Sequence, residues 1–219
     1  MRSELLLFPI LIAACTSTTL GPFDAEPSSL RERLATKTHL LVIPNDGAGV
    51  VTARHRTRTG WSQSLVNLAV DRGGLIANTD RSGNLALGAL EFGFQPVTIP
   101  PSLFGREAQL TNLHLQLVEP TRVMTTWNGD DDAQVTAPLG FELSWSLVIN
   151  DTQVPLGAPR LPPIPVRLQL TGDDSRIAAE VRVHAPGELW NWADLLTLSD
   201  FDLTLGAQAP IETGPVRPL

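Results

Sequence analysis

The chain contains no tyrosine, one cysteine and one lysine, and only 5% of its residues are aromatic. A single thiol excludes an intramolecular disulfide framework and any zinc site built on several thiolates. So few rings leave little for the stacking platforms that sugar- and nucleic-acid-binding surfaces use. Cations are also scarce: 16 Lys and Arg stand against 23 Asp and Glu, a formal charge of -7. The sequence-independent attraction to phosphate backbones is therefore missing, and nucleic acid is not expected as a partner. What is present is ample for one folded domain. Of 219 residues 42% are hydrophobic, and 18 prolines and 17 glycines supply turns without making the chain low-complexity.

Leu5 to Ile12 form an eight-residue apolar run behind the polar start Met1-Arg2-Ser3-Glu4. A bilayer-spanning helix takes about 20 residues, so this run has the length of a secretory-signal core instead. It ends in Ile12-Ala13-Ala14-Cys15, an aliphatic residue three before the sole cysteine with small residues between. This stretch resembles the lipobox of bacterial lipoprotein signal peptides. The resemblance implies that residues 1–14 are removed and that Cys15 is acylated as the new N-terminus, with Ile12, Ala13 and Ala14 as the lipobox. It also implies a membrane partner reached through acyl chains, and an address in the bacterial cell envelope. By analogy with enteric sorting, Thr16 points to the outer membrane, facing the periplasm or the cell surface. Several acyl chains anchor stably, because each buried CH₂ contributes roughly 0.8 kcal/mol. Residues 15–28 read as the lipidated N-terminus and a flexible tether, of which Thr16 to Ser28 reach at most about 40 Å. A single β-rich domain is expected over 29–206, with a loose tail over 207–219.

Ser29-Leu30-Arg31-Glu32 fits a capping box and predicts a short helix to about Lys37. Beyond it the dominant period is two. Phe141, Leu143, Trp145, Leu147 and Ile149 alternate with more polar positions, which predicts a long half-buried strand. Val166 to Leu170 and Ile177 to Val183 alternate likewise around Gly172-Asp173-Asp174, a hairpin signal. Asn45-Asp46-Gly47 and Asp71-Arg72-Gly73-Gly74 also read as turns between strands. About ten strands result, so the expected class is all-β, a mainly antiparallel sandwich, barrel or curled sheet with one or two short helices. The second helix is expected between Pro186 and Leu196, where Leu189, Trp192, Ala193 and Leu196 fall at helical spacing. The Pro-rich stretch Leu156 to Pro165 suits a crossing at a sheet edge.

Three segments share an apolar phase break: Leu87-Gly88-Ala89-Leu90, Leu110-Thr111-Asn112-Leu113 and Leu198-Ser199-Asp200-Phe201. Such a break predicts a bulge or kink at each.

Chemistry is harder to find. Gly60-Trp61-Ser62-Gln63-Ser64 approaches a nucleophile elbow but lacks the closing glycine. His39, His55, His114 and His184 are scattered without metal-ligand spacing, and Asp130-Asp131-Asp132 reads as a polar turn. No catalytic residue, cofactor or metal ligand is assigned. Residues 31–60 carry a local +4, and Arg54, Arg56 and Arg58 share one face of a predicted strand. That row suits either anionic headgroups or an edge strand protected against aggregation. Trp190 and Trp192 suit the closure of a β core.

The expectation is a non-catalytic, membrane-anchored envelope protein that binds a lipid or another apolar ligand. Phe141, Leu143, Trp145, Leu147 and Ile149 are the expected ligand wall. In its long alternating strands and lipid anchor the chain is loosely similar to the tubular lipid-binding lipoproteins of bacterial envelopes, though its helix is short where theirs is long. The alternatives are a structural or protein-interaction module of the envelope with a packed core, and a hydrolase. A cavity separates the first reading from the second: a binding module needs an apolar pocket of roughly 300–1,000 Å³ or more, whereas a scaffold fills its interior.

Overall fold

The computed structural model describes residues 29–44, 47–57, 59–99, 108–173, 176–192 and 196–210. Ile12, Ala13, Ala14, Cys15, the tether and Arg58 lie outside the described residues.

Ser29 caps helix α1 (Leu30–Thr36), its hydroxyl accepting the Glu32 N–H at 3.3 Å. Leu30 and Leu34 lie one turn apart on one face, and both are fully buried, so the helix buries a stripe although its other residues are mostly charged or polar. Asp131 accepts the Leu30 N–H at 2.8 Å through Oδ1, and the Asp130 carbonyl accepts that of Arg31 at 2.9 Å. A carboxylate there satisfies an orphan donor and complements the helix dipole. The acidic run is thus a docking point for the helix and more than a solvated turn.

The helix is followed by β1 (His39–Ile43), β2 (Ala48–Thr57), β3 (Gly60–Thr79), β4 (Leu85–Phe94) and β5 (Val97–Ile99). Next come β6 (Ala108–Leu117), β7 (Thr121–Val123), β8 (Thr126–Trp127), β9 (Asp132–Leu139) and β10 (Phe141–Ile149). The last are β11 (Thr152–Pro155), β12 (Ile164–Gly172), β13 (Arg176–Trp192) and β14 (Leu196–Pro210). All pairings are antiparallel within one sheet, ordered β11-β10-β6-β4-β3-β1-β14-β13-β12-β9-β8. β2 fills the same gap as β1, pairing with β3 and β14, while β5 pairs β6 and β7 pairs β4. The class is therefore all-β with one short helix among the described residues, as the alternation predicts, built from 14 strands rather than ten.

The sheet curls on itself. Trp145 of β10 and Trp190 of β13 are far apart in strand order, yet their ring centroids are 4.3 Å apart. The inner face carries one continuous apolar core, and β14 shows the rule plainly. Leu203, Leu205, Ala207 and Ala209 are buried, whereas Asp202, Thr204, Gly206 and Gln208 are exposed. β14 thus continues past the expected boundary at 206, with Ala209 paired to Ile177.

Three expectations are corrected. β1 and β2 form no hairpin: Ile43 lies opposite Gly73 and Ala48 opposite Ala69, so the two follow one another along β3. The Val70 N–H donates to the Gly47 carbonyl at 2.9 Å and carries the ladder between them. Asp71-Arg72-Gly73-Gly74 is likewise no turn but the middle of the 20-residue β3. A Cβ at Gly73 would stand 2.7 Å from the Glu91 carbonyl oxygen, so this glycine serves close strand approach. Pro186 to Trp192 is strand, not helix, and pairs with β14 through a shifted register at Ala185–Glu188.

The Pro-rich stretch does run along a sheet edge. The Leu156, Leu143 and Leu161 N–H groups exchange hydrogen bonds with Trp145, Pro159 and Phe141 carbonyls beside β10. Each predicted phase break coincides with a register shift, at Gly88, at Asn112-Leu113 and at Asp200-Phe201. Asn112 and Asp200 take positive φ of 53° and 52°, which Asn and Asp tolerate best among side-chain-bearing residues.

Candidate functional site

α1 sits at the end of the curled sheet where β12 ends and β9 begins, with Leu30 against Gly172, and it also packs on β3. At the opposite end the bulges do different work. A bulge lets two inward residues stand on either side of the phase break, so Leu110 and Leu113 both face in, as do Leu198 and Phe201. Trp145 alone opposes the pair Asn112-Leu113, because Ser144 faces His114 and Ser146 faces Thr111. Val51 opposes Asp200-Phe201 in the same way. The added curvature leaves an apolar cavity of about 70 Å³, walled also by Ala53, Val66, Leu68, Phe94, Leu143 and Trp190. One buried water needs roughly 10–15 Å³ on the same measure, so the space admits the slim end of an apolar chain, and it is smaller than the roughly 300–1,000 Å³ expected of a full ligand pocket. It reaches the surface of the described residues where Ser64, Val66, Leu189, Trp190 and Leu198 are only half-buried.

The Asp200 bulge is stitched by its own side chain. Its carboxylate accepts the Gly187 N–H and the Ser199 hydroxyl at 2.9 and 3.0 Å. The Gly187 bond, then the Ser199 bond, holds this carboxyl below the usual carboxylate range.

Polar atoms at this end are few and unusual. The Trp145 Nε1, the Ser64 Oγ and both ring nitrogens of His55 are buried with no hydrogen-bond partner among the described residues. Trp145 is 3% exposed and His55 2%. His55 continues the inward series Val51, Ala53 on β2, and on β3 it faces Ser62 while Ala53 faces Ser64. His55 and Ser64 are therefore diagonal neighbours on one face, roughly 7 Å apart at the backbone.

Desolvation holds the His55 pKa below its ordinary 6.5. The unfolded chain then binds a proton that the folded chain refuses, so stability is full at neutral pH. It is lost as pH falls through 6.5 toward the folded-state value. Wild type is expected to lose more melting temperature than His55→Phe between about pH 7.5 and about pH 5.5, and thermal melts at both check it.

Of the expected wall, Leu143 and Trp145 line the cavity. Phe141 is fully buried against Phe92, with centroids at 6.3 Å, and Leu147 is packed core. Ile149 is half-buried and packs on the core away from the cavity. Alternation put all five on one face, but the bulges aim only the middle of β10 at the open end. Arg54 and Arg56 do share an exposed face. β2 is paired on both sides, which overturns the edge-strand explanation of that row. His114 lies 3.6 Å from Glu91, and His184 pairs with Asp202 on the surface.

Ser64 was missed as a cavity residue, and His55 as a buried one beside it. The signal was available for His55, since a face carrying Arg54 and Arg56 outward forces residue 55 inward. No protein-family model matches this chain, and no curated protein matches its sequence.

Proposed function

We propose that the protein binds one alkyl chain of a lipid, or a similarly slim apolar molecule, as a lipid-anchored protein of the bacterial cell envelope. The observation that carries this reading is the cavity at the bulged end of the sheet. A packed-core scaffold fills its interior to crystal-like density, and here the apolar lining is left open. The anchor rests on the lipobox alone. For hydrolysis, His55 would need an acid to orient it, and its ring nitrogens have no partner among the described residues. Native mass spectrometry of the purified chain, with analysis of its organic extract, tests the reading. A co-purifying lipid in fixed proportion is expected. A bare mass, together with no uptake of added alkyl chains, would return the packed-core interaction module as the better reading.

The outer face of the β2–β3 hairpin supports a membrane encounter at the same end. Arg54 and Arg56 stand beside Trp61 and Leu65, which are 48% and 71% exposed. The Arg54 guanidinium lies 5.7 Å from the Trp61 ring centroid. Each such cation contributes about 1 kcal/mol at an anionic membrane surface. Arg54→Glu with Arg56→Glu is expected to weaken binding to phosphatidylglycerol vesicles roughly tenfold or more, read by co-sedimentation.

A further inference from the structure

A buried polar atom without a partner destabilises the fold, and such groups in a native interior call for an explanation. Three side chains carry them at one end of this molecule: Trp145 and Ser64 in the cavity wall and His55 beside Ser64. The row Trp190, Leu198, Ala53, Ser64 crosses β13, β14, β2 and β3 by direct pairing, and Trp145 meets Trp190 edge-on. Trp145 and Ser64 thus stand in the wall of one cavity, and His55 lies behind Ser64 on the same face.

Their chemistry is restrictive. The indole N–H only donates, and a neutral imidazole offers one donor and one acceptor. A serine hydroxyl does both. Among the described residues no Lys or Arg lines the cavity. A carboxylate or phosphate drawn inside would be buried without a counter-charge, which costs far more than any of these hydrogen bonds returns. Bare hydrocarbon would leave all the polar atoms unpaired. Resting on the alkyl-chain reading above, we propose that the natural occupant is a chain bearing an uncharged oxygen function, an ester, alcohol or amide, whose oxygen is received by Trp145 or Ser64.

The test uses the delipidated full chain and four matched probes at about pH 8, read by bromine quenching of tryptophan fluorescence: 1-bromododecane, 12-bromododecanol, methyl 12-bromododecanoate and 12-bromododecanoic acid. The alcohol and ester are expected to bind roughly tenfold or more tightly than the alkane, the worth of one or two hydrogen bonds. The ionised acid is expected to bind weakest. Trp145→Phe or Ser64→Ala should reduce the ester-to-alkane ratio several-fold, with Trp190 still reporting. If the alkane or the acid binds as tightly as the ester, or both variants keep the wild-type ratio, the proposal falls while the cavity reading stands. If no probe binds, both fall.

Discussion

Replacing Ala53 with phenylalanine is expected to abolish alkyl-chain binding and leave the fold intact. Ala53 is 4% exposed and faces inward between Ser64 on β3 and Leu198 on β14, both in the cavity wall. In a filled core an enlarged side chain costs about 1–3 kcal/mol through strained rotamers. Here the ring has a cavity of about 70 Å³ to enter, and it gains dispersion contacts the open lining forgoes. The melting temperature should therefore move little, while quenching by bromododecyl probes disappears. Val42→Phe is the control: Val42 is 56% exposed on the outer face, so added bulk there should change neither property. Retained binding in a folded Ala53→Phe protein would place the chain elsewhere and overturn the cavity as its site.

Much of this architecture is legible in the residues, and the errors share one cause. Alternation on β10 and β14 identifies inward and outward faces because one face is buried and the other wet. The phase breaks at Asn112 and Asp200 are also readable, since an extra residue must be absorbed somewhere. Glycine-containing polar stretches mislead: Asn45-Asp46-Gly47 separates β1 and β2, which both run antiparallel to β3, and Asp71 to Gly74 lies inside β3. Composition records that a side chain is small or polar, not whether a neighbouring strand presses on it, as the Glu91 carbonyl does at Gly73. Pro186 to Leu196 fails similarly. Its helical spacing is real, but β14 offers pairing partners to Glu188, Trp190, Asn191 and Trp192, and long-range pairing overrides local periodicity. The site was half legible. Trp145 follows from alternation, whereas Ser64 and Trp190 join it only through the curl of the sheet, which no local pattern encodes.

The largest loss of stability is expected from the opposite end, with Leu34→Ala. Leu34 is fully buried although it belongs to a helix of only seven residues. So short a helix is not stable alone. It is held by Leu30, Leu34 and the hydrogen bonds that Asp130 and Asp131 give its first turn. Truncating a buried leucine to alanine costs about 2–5 kcal/mol, a large share of the 5–15 kcal/mol typical of a domain. The melting temperature should fall by on the order of 10 °C. Gly172 gives an independent handle, because a Cβ there would stand 2.7 Å from the Cβ of Leu30. Gly172→Val should therefore push α1 off the sheet end and destabilise comparably. Asp131→Ala should cost less, about 1 kcal/mol, since it removes one cap and no packing. Below their melting points all three variants should still bind bromododecanol, because the cavity is lined entirely by other elements. Loss of binding at a temperature where circular dichroism shows an intact sheet would mean that the helix and the cavity are coupled through the core, and that the two ends do not act independently.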